Sequence, residues 1–397
     1  MIRVVITGAG TVNPLGMDVA ATMAAMAAGQ TAIAPVVLRD LDRLTVRIGA
    51  QIAGWRPEAL FSKADIALMD PFSQFAVAAA AQAVAQSGLV FQGALAEAAG
   101  VIIGSAGGGL QTTDDNYRVV YQEGKSRVHP LVVPRLMLNA AAAQVAIRHG
   151  LQGPTYALSS ACSSSNHALG QAFHLIRSGA TPVMLAGGSD AMLCFGGIKA
   201  WEGLRVLSQT GCRPFSADRD GMVMGEGGAV FVLEAWDHAR ARGAEVLAEV
   251  AGFAMTSDAG DMVQPSALGA ARAMRLALRD AGMLAEEVGY INAHGTATTA
   301  NDRCEAQAIA EVFGPGVPVS STKAMHGHLM GGAGAVELLA CLMALRDGIL
   351  PPTLGFVPGD CALDVIPNTA RTGHVRAVIS NSFAFGGLNA VLALRSV

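Results

Sequence analysis

Short, almost wholly apolar runs alternate along the chain with Ala-rich segments of helical length. Val4–Thr7, Val101–Gly104, Thr155–Leu158, Val183–Ala186 and Ala229–Glu234 read as strands, with helices over Ser73–Ser87, Ala140–His149 and Ser163–Ser178. The same style recurs further on. Glu249–Ser257, Tyr290–Ala293, Val317–Ser320, Ala377–Asn381 and Ala390–Arg395 read as strands, and Gly269–Ala281, Cys304–Phe313 and Gly334–Asp347 as helices. Strands this apolar are buried on both faces, which calls for helices on either side of largely parallel sheets. The expected class is therefore α/β. A polar, charged stretch at Trp236–Glu249 marks the break between two halves, 1–240 and 241–397, which are expected to pack as one body.

Composition narrows the function. With 52% apolar and 15% charged residues, a net charge of −4 and no Lys/Arg-rich run, the chain carries no nucleic-acid footprint. Its six cysteines show no CxxC spacing, so neither a disulfide framework nor a metal site is expected. The start, Met1 to Gly8, reads as a strand and turn rather than a leader, and the default location is a reducing cytoplasm. The most apolar stretch, Leu329–Leu345, carries Glu337 and several glycines, so it is read as a buried helix and not a membrane span. Gly8-Ala9-Gly10 follows a strand but lacks the third glycine of a dinucleotide turn, and Asn13-Pro14 disrupts a helix start. No metal, flavin or nicotinamide cofactor is implied.

Chemistry concentrates around Cys162. The strand Thr155–Leu158 runs through small residues into Cys162 and then a helix that begins Ser163-Ser164-Ser165. A thiol at such a junction lies near free N–H groups and a partial positive charge, which favours thiolate. Three further segments, each after a predicted strand, are dense in small and polar residues. They are Asn292–Glu305 with His294, Ser320–Glu337 with Lys323, His326 and His328, and Ser380–Asn389 with Phe383-Ala384-Phe385-Gly386-Gly387. Loops at the carboxyl ends of strands converge on one crevice in such sheets. A nucleophile, two imidazoles, an ammonium and a glycine-rich turn would then meet.

These four segments, with Arg213–Gly221 and Gly225–Gly228, resemble the β-ketoacyl-acyl-carrier-protein synthases, the type I/II condensing enzymes of the thiolase superfamily. The resemblance runs end to end. It implies a thiolase fold: duplicated five-stranded mixed sheets in an α-β-α-β-α sandwich, assembled as a homodimer. It also implies decarboxylative Claisen condensation of an acyl thioester, carried on Cys162, with malonyl-acyl-carrier protein. By the same resemblance His294 and His328 would hydrogen-bond the malonyl thioester oxygen. The N–H groups of Cys162 and Phe385 would form the oxyanion hole, with the Phe385 ring as gate. Lys323 would orient the histidines with Glu337 as counter-ion, and Thr296 and Thr298 would hold the pantetheine arm. Asp302 and Glu305 would brace the loop. No cofactor is implied beyond the carrier protein's phosphopantetheine.

The sequence departs from the family pattern in places. His326 stands where a small hydroxyl residue is usual, and is read as a rim or supporting residue. Ala384 replaces a glycine, which should stiffen the gate, and Leu388 replaces a threonine. Gly107 sits where long-chain synthases carry a larger side chain near the acyl pocket, so a wider tunnel is expected. Lys199, Arg205, Lys63 and Arg56 are the candidates for meeting an acidic carrier protein. These departures point to a specialised synthase of nodulation or secondary-metabolite type, a housekeeping elongation enzyme being the alternative. A non-elongating partner subunit, or an acyl-enzyme-forming decarboxylase or hydrolase, would share the fold.

Overall fold

The computed structural model describes all 397 residues. Eleven strands form its main sheet: β1 (Val4–Val12), β2 (Gly100–Gly104), β3 (Thr155–Leu158), β4 (Val183–Asp190), β5 (Gly227–Ala235), β6 (Ala248–Ser257), β7 (Tyr290–Asn292), β8 (Pro318–Ser320), β9 (Asp364–Val365), β10 (Ala377–Ala384) and β11 (Leu388–Arg395). Their order is β9-β8-β7-β10-β11-β6-β1-β5-β4-β2-β3. Leaving out the edge strand β9, which pairs in parallel with β8, the strands numbered within each half follow the same order, 3-2-4-5-1. In both, the fifth strand runs antiparallel to its neighbours while the second pairs in parallel with the third and fourth. The fold is thus a duplication. The halves join where Val4–Ile6 of β1 pairs with Ala248–Val250 of β6, so the first half's five strands and the second half's five, with β9 added at its edge, become one sheet.

Six helices complete the layers: α1 (Pro71–Ser87), α2 (Ala140–His149), α3 (Ser164–Arg177), α4 (Ala267–Ala281), α5 (Thr299–Phe313) and α6 (Ala333–Asp347). α3 and α6 touch each other and strands of both halves, which makes them the middle layer. α1 and α2 cover the outer face of the first half, and α4 with α5 that of the second. Three apolar cores fill the spaces, around Phe173 and Leu339 in the middle, Phe72 and Phe75 outside the first half, and Met274 and Ile309 outside the second. Because α6 is sandwiched, every residue from Ala333 to Leu345 is buried, which explains its all-round apolar sequence. No helix is long and apolar enough to cross a membrane.

Several elements run past their sequence-predicted ends. β1 continues to Val12, so Gly8 and Gly10 lie inside a strand. A Cβ at either would fall about 2 Å from a carbonyl of α1, at Ala83 or Ala79 respectively. Their smallness lets the helix approach the sheet. β4 likewise continues to Asp190. Helices at Val19–Ala27, Leu110–Tyr121 and Phe195–Gly203 add to those expected from the sequence. The loops after β3, β7 and β8 and the β10–β11 hairpin open onto one cavity between the halves.

Candidate active site

Cys162 lies between β3 and α3. Ala161 before it is left-handed, with φ 51°, an uncommon conformation for a residue with a Cβ. Hydroxyls hold this turn: Ser164 Oγ accepts from the Ser160 N–H at 2.9 Å, and Ser163 Oγ donates to the Leu388 carbonyl at 2.9 Å. The small residues give the turn room against the sheet, since a Cβ on Gly104 would lie 2.4 Å from the Ser164 backbone. The sulfur faces a cavity of about 270 Å³ lined by His294, His328, Phe383 and Phe385, among others.

The expectation of a thiolate at rest is corrected by the surroundings. Burial pushes the Cys162 thiol up to about 12; Lys323 pulls it back only in part, and Asp190 opposes that. The helix begins at Ser164, and the N–H groups of Ser163 and Ser164 already donate to Ser160 and Ala161 carbonyls. They are unavailable to the sulfur. The resting group is a thiol.

His294 sits just past the short parallel strand β7, and His328 follows β8 after the helical turn Lys323–His326. Cys162 Sγ and one ring nitrogen from each histidine lie within 4.8 Å of one another. The imidazoles meet edge to face at 5.4 Å between centroids. His328 Nδ1 accepts from the Met330 N–H at 3.1 Å, so the ring proton belongs on Nε2. That Nε2 is buried and has no protein partner. His294 Nδ1 lies 3.3 Å from the Lys323 ammonium, a donor, which likewise leaves the proton on Nε2. Burial, then Lys323, depress both histidines well below the usual range, so both are neutral near pH 7. The site presents hydrogen-bond donors without imidazolium charge.

Lys323 is fully buried and directs its three N–H bonds to Glu337, the His294 carbonyl at 2.5 Å and His294 Nδ1. Burial raises the Glu337 carboxyl while Lys323 opposes the shift. Glu305 accepts from the N–H groups of His294 at 2.8 Å and Gly295 at 2.7 Å, and Asp302 from that of Phe215 at 2.7 Å. Thr296 and Thr298 line the cavity and share a hydrogen bond of 2.8 Å across left-handed Ala297.

Phe385, Gly386 and Gly387 form the loop of the β10–β11 hairpin. Gly386 and Gly387 take φ of 81° and 67°, which only glycine adopts freely. Ala384 instead closes β10 opposite Leu388, so its Cβ adds no constraint at the turn, and the expected stiffening does not follow. Phe385 stacks on Trp201, centroids 5.8 Å apart, a contact the sequence reading missed.

His326 is buried away from the cavity, bonded to the Gly327 carbonyl at 2.7 Å and the Thr322 hydroxyl at 2.9 Å. Gly107 also lies outside the cavity; a Cβ there would come 2.8 Å from Met192 Cγ and Sδ. Lys199 is already paired with Glu202 at 2.8 Å. Asp190 and Ser165, neither singled out from sequence, meet the loop that carries His328.

Two family models match the chain. Residues 1–239 match the Beta-ketoacyl synthase, N-terminal domain, and residues 247–357 the Beta-ketoacyl synthase, C-terminal domain. The chain belongs to the β-ketoacyl synthase family. It is similar to nodulation protein E of Rhizobium sp. (strain N33), 46% identical over 400 residues that cover 100% of this chain and 99% of the relative. The 3-oxoacyl-[acyl-carrier-protein] synthase 2 of Vibrio cholerae is 39% identical over 408 residues, covering 99% of each. The solved ishigamide ketosynthase/chain length factor superposes with a TM-score of 0.95 at 34% identity, over 100% of this chain and 99% of that one. The sandwich is the thiolase fold, and the family's reaction is Claisen condensation in acyl-chain elongation.

Proposed function

We propose that Cys162 carries the growing acyl chain and that His294 and His328 stabilise the decarboxylating extender. The Cys162 sulfur attacks an acyl thioester on carrier-protein phosphopantetheine; its proton goes to the departing pantetheine sulfur. Malonyl-carrier protein then enters past Thr296 and Thr298 and loses carbon dioxide. The two Nε2–H groups hold the enolate oxygen as charge develops there. The carbanion attacks the Cys162 thioester, the carbon–sulfur bond breaks to free the thiolate, which takes a proton from solvent, and a 3-oxoacyl-carrier protein leaves. The observation that carries this reading is the buried, unpartnered Nε2 of His328, on a ring that brings one nitrogen within 4.8 Å of Cys162 Sγ. Neutral donors suit an enolate without needing a proton to move first.

The closer likeness to nodulation protein E than to synthase 2 favours a specialised acyl chain over housekeeping elongation. The likeness to the 3-oxoacyl-[acyl-carrier-protein] synthase 2 of Vibrio cholerae supports an acyl carrier protein as partner. A cytoplasmic homodimer is part of the proposal: β3 is an unpaired sheet edge with Tyr156 exposed, and Tyr117 and Tyr121 are exposed too. Arg205 is the stronger carrier-docking candidate, since Lys199 is engaged by Glu202. Intact-mass analysis after incubation with acyl-carrier proteins tests the nucleophile. An acyl adduct that disappears in Cys162→Ala supports it; an adduct that persists there would overturn it.

A further inference from the structure

Met330 supplies the N–H that fixes the His328 tautomer, and it does so from a strained conformation, φ 49°. A non-glycine residue stays left-handed only where its surroundings over-determine it. The turn around it is held from the other half of the molecule. The Gly331 N–H donates to Asp190 Oδ2 at 2.6 Å, and the Gly331 carbonyl accepts from the Ser165 hydroxyl. Gly331 has no room for a side chain, because a Cβ would lie 2.4 Å from the Ala106 nitrogen.

Asp190 is itself immobile. Ser105 Oγ donates to it at 2.6 Å, and the N–H groups of Ala106 and Gly107 at 2.9 and 3.0 Å. With Gly331, four donors satisfy one fully buried carboxylate. Neither Asp190 nor Ser165 lines the cavity. Yet Ser165 stands in the first turn of the nucleophile's helix, and Asp190 ends the strand beside it.

We propose that Asp190 and Ser165 are positioning residues that clamp Gly331 and keep Met330 left-handed, so that His328 is locked with its proton on Nε2. The clamp ties a histidine of the second half to the nucleophile's half, which keeps the His328–Cys162 distance and the ring tautomer under one control. The catalytic importance of that lock, though not the lock itself, rests on the role given above to His328.

The test uses full-length enzyme labelled with 15N-histidine, the His328 signals being assigned with His328→Asn. Wild type should give a single Nε2–H tautomer. Asp190→Asn, which puts an amide donor against N–H groups, and Ser165→Ala, which removes one hydroxyl and should fold readily, should each populate the Nδ1–H form. Malonyl-carrier-protein decarboxylation should fall about 10–100-fold, by analogy with removing the hydrogen-bond partner that orients a metal-bound histidine. Acylation of Cys162 should fall far less. An unchanged Nε2–H tautomer in folded Ser165→Ala would overturn the clamp, as would equal losses in both half-reactions with no tautomer change. A shifted tautomer with undiminished decarboxylation would leave the clamp standing and refute the role of His328.

Discussion

Replacing Lys323 by methionine should separate stability from catalysis. The ammonium spends all three N–H bonds, on Glu337, the His294 carbonyl and His294 Nδ1. Without it the Glu337 carboxylate is left fully buried opposite no cation. Removing one member of a buried pair costs about 3–5 kcal/mol. At an unfolding entropy of about 2.1 cal/mol/K per residue, a 397-residue chain would lose roughly 4–6 °C in Tm. Adding Glu337→Leu removes the stranded carboxylate. An apolar pair in place of a buried ion pair is neutral or stabilising by about 1–4 kcal/mol, so Tm should return to wild type or above. Activity should stay low in the double variant, down about 10–100-fold, because nothing then fixes the His294 tautomer. Thermal melts and malonyl-carrier-protein decarboxylation rates read the two effects. A double variant that regains activity along with Tm would refute the reasoning, leaving Lys323 as a mere counter-ion.

Other expectations follow from neighbouring groups. Burial drives His326 down to about 3, against about 6.5 in an unfolded chain, so below pH 6.5 the unfolded state binds a proton the fold refuses. Stability present above pH 6.5 should drain away towards pH 3, and His326→Gln should lose less Tm than wild type between pH 7.5 and 5. Equal losses would count against it. Met192 occupies the space beside Gly107 and neither lines the cavity, so Met192→Ala should leave the preferred acyl chain unchanged in a competition series. Gly107→Ile should displace Met192 at a cost of about 1–3 kcal/mol; a longer preferred chain in Met192→Ala would instead put this pair on the acyl channel. Trp201→Ala removes the ring stacked on Phe385, worth about 0.5–1.5 kcal/mol, and should speed water's attack on acyl-Cys162 by roughly 2–10-fold. Deacylation followed by intact mass checks it, and an unchanged rate would mean that the stack does not hold the gate.

Much of this was legible because burial on both faces writes itself into sequence. Strands such as Val101–Gly104 and the helix Gly334–Asp347 show as apolar runs, and their alternation carries the class. The halves' shared 3-2-4-5-1 order is not legible, because register and pairing depend on contacts far apart in the chain. Cys162, His294, His328 and Phe385 could be singled out because each follows a strand in a run of small residues. Trp201 and Asp190 could not. Trp201 sits in a helix with little apolar pattern, and Asp190 ends a strand that seemed to stop at Ala186. A lone carboxylate after Gly187-Gly188-Ser189 was the available signal. Proximity to a helix start is visible in the sequence and favours thiolate; the burial that pushes the thiol up is not visible there.

The central claim is that one cavity joins two acyl units. It is met most directly by incubating the enzyme with an acyl-carrier protein and 13C-labelled malonyl-carrier protein and identifying the carrier-bound product by mass spectrometry. A 3-oxoacyl-carrier protein two carbons longer than the donor, carrying the label and formed with release of one carbon dioxide, is the expected result. Labelled acetyl-carrier protein or free acid alone, with Cys162 acylated, would contradict it and identify a decarboxylase or hydrolase instead.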